Sequence, residues 1–202
     1  MTATMISRRR AALERKTKET SVRLSVDLDD ASTVKIDTPV GFLSHMLEAV
    51  ARHAAIGLVV EATGDTHIDY HHTVEDVGLL FGDAVKEALG DKSGIRRFGH
   101  AYVPLDEALA RVVLDFSGRP FFVFEAEIDT EMLLVHKDFP FALVEEFLKS
   151  FAFRCGCNLH VDLIRGRNGH HAAEAIFKAL AVSIRMAKER IGGSIPSTKG
   201  VL

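Results

Sequence analysis

The sequence has no tryptophan, two tyrosines and two cysteines among 202 residues. The cysteines, Cys155 and Cys157, are two residues apart and build no disulfide framework, which points to a reducing, cytoplasmic compartment. No apolar run approaches the ~20 residues of a membrane span. No apolar stretch follows the basic run Ser7-Arg8-Arg9-Arg10, so no secretory signal is legible. Charge of one sign is also missing: 25 Lys and Arg against 28 Asp and Glu leave a net charge of −3, with no basic field for nucleic acid. A hydrophobic share of 47% excludes a disordered chain. Histidine is abundant by contrast, with ten copies.

The residues before about Thr20 are basic and mixed, and read as an arm over the surface. Val22, Leu24, Val26 and Leu28 alternate with polar residues as in a half-buried strand, and Thr33 to Asp37 make a short return run. Leu43, Met46, Leu47, Val50, Ala51 and Ala54 recur at helical spacing, with Gly57 as the stop. Strands are expected at Leu58–Ala62 and His67–Tyr70 around a Gly64-Asp65 turn. A helix through Val77, Phe81 and Val85 then ends at Gly90. Further strands are expected around 101–103, 111–116, 121–127 and 159–164. One more helix carries Val144, Phe147 and Phe151, and a last one runs from Ala173 to Ile191. The organisation is therefore an arm (1–20), a first repeat (21–100), a second repeat (101–191) and a glycine-rich tail (192–202).

The two halves align. Ala51 to Leu58 sets against Ala152 to Leu159, and after a two-residue deletion His71-His72-Thr73-Val74-Glu75 falls on His170-His171-Ala172-Ala173-Glu174. A helix-start glutamate alone reads as a partner of the helix dipole, and a lone histidine as a satisfied polar group. A duplicated His-His-x-x-Glu reads as metal ligation, and the chain as a duplicated α+β unit. The glutamate shares a helix face with each histidine, while the adjacent histidines diverge by ~100°, so each pair serves two different ions. His45 on the first helix is a further candidate, with Glu146 at its equivalent. Imidazole with carboxylate suits Zn, Fe, Mn, Co or Ni. His53, His67, His100, His136 and His160 lack partners at ligand spacing and read as structural or surface residues. Arg97, Arg119 in a Ser-Gly-Arg-Pro turn, and Ser197 with Lys199 in the tail read as phosphate binders.

These stretches resemble the imidazoleglycerol-phosphate dehydratase family from about Arg9 to Leu202. The resemblance rests on Glu14 to Thr20 (ERKTKET), Phe42 to Leu47 (FLSHML), the two double-histidine motifs, Ser117 to Pro120 and Pro196 to Gly200 (PSTKG). It implies an internal duplication of a unit with a four-stranded sheet and two helices, the helices packed between the two sheets. It also implies two manganese ions per active site and a 24-subunit homo-oligomer with sites at subunit contacts. The implied ligands are His45, His71, His72, Glu75, His170, His171 and Glu174. The family often has histidine at an eighth position, where this chain has Glu146. Glu19, Arg97, Arg119, Ser197 and Lys199 match its substrate residues. The implied activity is a hydro-lyase of histidine biosynthesis that dehydrates imidazoleglycerol phosphate, with Glu19 as acid/base beside the ligands His45, Glu75 and Glu174. A metal-dependent phosphate-ester hydrolase and a non-catalytic metal-binding shell are the competing readings.

Overall fold

The computed structural model describes residues 8–136 and 139–200. In chain order the elements are β1 (Arg10–Lys16), β2 (Thr20–Asp27), β3 (Val34–Asp37), α1 (Gly41–Ala54), β4 (Gly57–Gly64) and α2 (His71–Leu89). Then come β5 (Phe98–Leu105), β6 (Ala108–Asp115), β7 (Phe121–Ala126), β8 (Leu134–His136), β9 (Phe139–Pro140), α3 (Ala142–Cys155), β10 (Asn158–Arg165) and α4 (Gly169–Ala187). The duplication is explicit in the strand order. One sheet runs β1-β2-β4-β3 and the other β5-β6-β10-β7, each with one parallel pair at the end of the row. The parallel pairs follow from α1 and α3, which serve as the crossovers that parallel strands require.

α2 lies across β1, β2 and β4, and α4 lies across β5, β6 and β10. α2 meets α3, and α1 meets α4, so the helices form the middle of the molecule between two sheets. Alternation turns Val22, Leu24 and Val26 of β2, and Ala110, Val112 and Leu114 of β6, toward the helices, all buried. Phenylalanine fills the centre. Phe81 stacks on Phe151 at 5.2 Å between ring centroids, and Phe147 meets Phe177 at the same distance. Each such ring contributes roughly 1.5–3 kcal/mol by leaving water.

Several expectations need correction. The supposed arm contains β1, which pairs antiparallel with β2 over its whole length. Its inward positions are only Ala11, Leu13 and Arg15, too weak an apolar alternation to read as a strand. The boundary at residue 100 falls inside β5. Residues 67–70 form a turn rather than a strand, closed by Ile68 N–H to the Asp65 carbonyl, because the chain there swings back to start α2. α1 ends at Ala54 with Ala55 left-handed (φ 51°), so Gly57 is not the stop. Glycine is needed at 57 because a Cβ there would lie 2.6 Å from the Asp30 carbonyl oxygen. α4 ends at Ala187, short of Ile191. The Lys188 ammonium turns inward to donate to the Leu28 and Ala55 carbonyls, and Ile191 is exposed. The β8–β9 hairpin had no sequence signal. Cys155 and Cys157 are buried free thiols on either side of left-handed Gly156, and their mutual contact and burial push the Cys157 thiol up.

Candidate metal centre and anion recess

α1 and α4 bring three of the expected ligands together. His45 Nε2 lies 3.5 Å from Glu174 Oε2, and His170 Nε2 lies 3.2 Å from the same oxygen. Among the described residues this is the one group of three whose donor atoms all fall within 4.8 Å of each other. Donors held about 2.0–2.2 Å from a common ion stand roughly 3–3.5 Å apart, so the separations fit one first-row divalent metal. The mix of two imidazoles and a carboxylate suits it as well.

The surroundings hold these donors in place. Phe42 sets its ring edge-on to both imidazoles, 6.5 Å from His45 and 5.2 Å from His170, and rests on Phe139 at 4.9 Å. Lys178, one turn on from Glu174, takes the carboxylate's other oxygen at 2.7 Å, which directs Oε2 toward the histidines. Burial opposes ionisation of Glu174, but Lys178, His45 and His170 outweigh it and hold its carboxyl below the usual range. His53, which the sequence marks as a structural or surface residue, stands close enough to Lys178 and Glu174 to feel both. Burial first, then Lys178 and Arg52, lower its pKa.

The α4 start is built for this. Asn168 caps it, its side-chain oxygen accepting from the His170 and His171 amides. Gly169 is required there, since a Cβ would meet the Met132 carbonyl oxygen at 2.8 Å. His171 turns away from the triad, its Nδ1 2.8 Å from Glu107. Glu107 is lowered to about 2, first by that bond and then by the Arg167 and Asn168 amides, and His171 is raised in turn.

The first-half motif is not closed in the same way. His72 Nδ1 sits 2.9 Å from Asp65, and that contact raises the imidazole's pKa, with Glu19 adding to it from a distance. His71 is exposed beside Ala142 and Leu143 in a recess between the starts of α2 and α3. Glu75 and Glu146 are half-buried, and Glu146 lies 3.9 Å from Lys149. The sequence does not mark Asp65, Glu107 or Lys178 as site residues. Only Lys178 had a local signal, its i+4 spacing from Glu174.

The phosphate candidates do converge. Arg97, Arg119, Ser197 and Lys199, with Pro196 and Thr198, line an open recess of about 540 Å³. Arg97 is fixed by a two-pronged pair with Asp115 (2.7 and 3.1 Å) and donates to the Pro196 carbonyl at 2.8 Å, so it also anchors the tail. One N–H on each terminal nitrogen remains for a ligand. Ser117 folds the Arg119 turn through bonds to the Arg119 amide and carbonyl, and Asn158 donates to that carbonyl at 2.7 Å. Glu19 is exposed in the β1–β2 turn, its amide held by Thr17 Oγ1. Recess and metal triad share no residue.

A family model described as imidazoleglycerol-phosphate dehydratase matches residues 38–184. The imidazoleglycerol-phosphate dehydratase of Hydrogenovibrio crunogenus is 51% identical over 197 residues, 96% of this chain and 100% of that protein. That of Methylococcus capsulatus is 50% identical over 200 residues, 98% of this chain and 100% of its own. Among solved structures, the Staphylococcus aureus dehydratase superposes with a TM-score of 0.80 at 39% identity, over 90% of this chain and 99% of that one. The Pyrococcus furiosus protein gives 0.82 at 33% identity, over 94% and 100%. With the duplicated fold, the converged histidines and this similarity along nearly its whole length, the chain belongs to the imidazoleglycerol-phosphate dehydratase family.

Proposed function

We propose that this protein dehydrates imidazoleglycerol phosphate to imidazole acetol phosphate and water, a step of histidine biosynthesis. The observation that carries the reading is the pairing of a histidine-carboxylate triad (His45, His170, Glu174) with a separate cationic recess (Arg97, Arg119, Ser197, Lys199). An imidazole ring at one end of the substrate and a phosphate at the other match the two. Arg119 and Lys199 hold the phosphate, and Arg97 holds both the phosphate and the tail that lines the recess. Glu19, exposed and within electrostatic reach of His72, moves the proton taken from the carbon beside the departing hydroxyl. The resulting enol becomes the ketone.

Two manganese ions per site are part of the proposal, held by His45, His71, His72, Glu75, Glu146, His170, His171 and Glu174. When bound, they would supply Lewis-acid charge to the imidazole ring, easing loss of the ring proton and of the neighbouring hydroxyl. Because the histidine pairs diverge, ligands from different copies of the chain complete each site in a homo-oligomer, taken as a 24-mer. The outer face of the second sheet supports such an assembly: Phe98, Tyr102, Val113 and Phe121 share it and are 41–58% exposed. The first sheet presents Arg23, Lys35 and Glu61 there instead.

The test is to mix pure protein with imidazoleglycerol phosphate and Mn²⁺ and follow products. Acetol formation is expected. Release of inorganic phosphate would favour the hydrolase reading, and metal uptake with no turnover the shell.

A further inference from the structure

We propose that Glu107 and Asp65 are positioning residues that fix His171 and His72 to coordinate metal through Nε2, an inference that rests on those histidines being ligands. In each half the second histidine of the pair meets a carboxylate at the same ring nitrogen, Nδ1: 2.8 Å to Glu107 for His171 and 2.9 Å to Asp65 for His72. A neutral imidazole that donates from Nδ1 carries its lone pair on Nε2, and the bond also sets the ring's rotation. His171 Nε2 faces the exposed carboxylate of Asp106 at 3.7 Å, beyond hydrogen-bonding distance.

Sequence duplication does not produce the recurrence. Asp65 follows β4, seven residues before its histidine, whereas Glu107 comes from the β5–β6 turn, 64 residues away. Two non-equivalent positions thus each bring a carboxylate to the same ring nitrogen, Nδ1, of the second histidine. Glu107 is also held firmly. Its second oxygen accepts the Arg167 amide at 3.1 Å and the Asn168 amide at 2.9 Å. Asn168 is the cap of α4, so the carboxylate ties the histidine's ring to the start of its own helix.

The topology adds a consequence for Glu19. It immediately precedes β2 as Glu107 immediately precedes β6, so the two glutamates occupy equivalent turns. In the second half this glutamate orients a histidine. In the first half Asp65 does so, which leaves Glu19 exposed and free for proton transfer.

The experiment uses the native protein with Mn²⁺ as probe, and compares Glu107→Gln, Asp65→Asn and His171→Ala with the parent. Equilibrium dialysis reads ions per chain and affinity, and melting of the metal-free protein reads folding. In Glu107→Gln one carbonyl oxygen keeps the Arg167 and Asn168 amides while the NH₂ faces the ring and cannot accept from Nδ1. Mn²⁺ affinity is expected to fall ten- to a hundredfold, about the scale for partners behind metal ligands, with metal-free melting unchanged and a similar loss in Asp65→Asn. Wild-type affinity in Glu107→Gln, whether melting holds or drops, while His171→Ala loses an ion overturns the inference and leaves the metal reading intact. Full metal in His171→Ala overturns the ligand reading itself, and the inference with it.

Discussion

Two helix pairs carry the same motif and close it differently. α1 and α4 gather His45, His170 and Glu174 into one cluster, while α2 and α3 leave His71, Glu75 and Glu146 apart among the described residues. The α2–α3 approach is set by small residues. A Cβ on Gly78 would meet the Phe147 carbonyl oxygen at 2.8 Å, and one on Gly82 would meet that of Phe151 at 2.6 Å. The equivalent positions on α4 hold Phe177 and Ala181. The starts of the two ligand helices differ too. α4 has the Asn168 cap, Met132 against Gly169 and Phe139 behind Phe42, whereas α2 has no side-chain cap, and Asp69 takes the His71 amide instead. A motif supplies donors, and the scaffold around the helix start decides whether they meet.

The sharpest way to break the comparison is Glu174→Gln, which removes the one anionic donor of the closed cluster. Metal retention and kcat should fall by more than about a hundredfold, beyond the usual effect of a residue behind a ligand. Metal analysis beside steady-state kinetics checks this, and a variant that keeps its metal would show the triad to be an ion-pair cluster. Next in size is Gly82→Ala. The Phe151 backbone cannot yield to a Cβ, so α2 and α3 must part at a cost of about 2–3 kcal/mol by urea unfolding. Ala181→Gly at the equivalent place on α4 should cost only about 1 kcal/mol.

Much of this contrast lay beyond a linear reading. The histidine pairs, His45 and the tail motif were visible because duplicated spacing and local composition mark them. β1 was not, because strand and arm look alike when the inward face is Ala11, Leu13 and Arg15. The contacts of Glu107 and Asp65 depend on how turns from different strands fold over a helix end, and no local spacing encodes that. Arg97, Arg119 and Lys199 lie far apart in sequence, so their shared recess required the packing of β5, the β6–β7 turn and the tail. Ile191 carried the helical period past the real end of α4 because Lys188 finds better partners in the Leu28 and Ala55 carbonyls.

The recess gives a medium-sized effect. On the proposed phosphate role, Arg119→Ala removes one charge-assisted contact, about 1.5–3 kcal/mol, so KM should rise roughly ten- to a hundredfold with kcat changed less. Unchanged kinetics would make Arg119 a turn residue only. Its carbonyl already serves the turn through Ser117 and Asn158, so the alanine variant should fold normally.

The smallest effect bears most directly on the unequal halves. His45 precedes His71 by 26 residues and Glu146 precedes His170 by 24, the difference being the loop deletion, so Glu146 is the counterpart of a triad member. Its side chain is 22% exposed and lies 3.9 Å from Lys149, one turn along α3, a loose pair worth about 0.3–0.5 kcal/mol. Rotation of a flexible side chain at so small a cost would let the carboxylate turn toward His71, which opens onto the first turn of α3 at Ala142 and Leu143. An anionic oxygen in place of imidazole should also favour a harder ion such as Mn²⁺. Glu146→Gln keeps the size and removes the charge. If the open half closes around metal, this variant should hold its ions less tightly and lose about tenfold in turnover, roughly 1.4 kcal/mol. Lys149→Ala, which frees the carboxylate, should leave both unchanged. Full metal and full turnover in Glu146→Gln, with both lost in Glu174→Gln, would mean that the two halves stop being equivalent at this position and that α3 contributes packing alone.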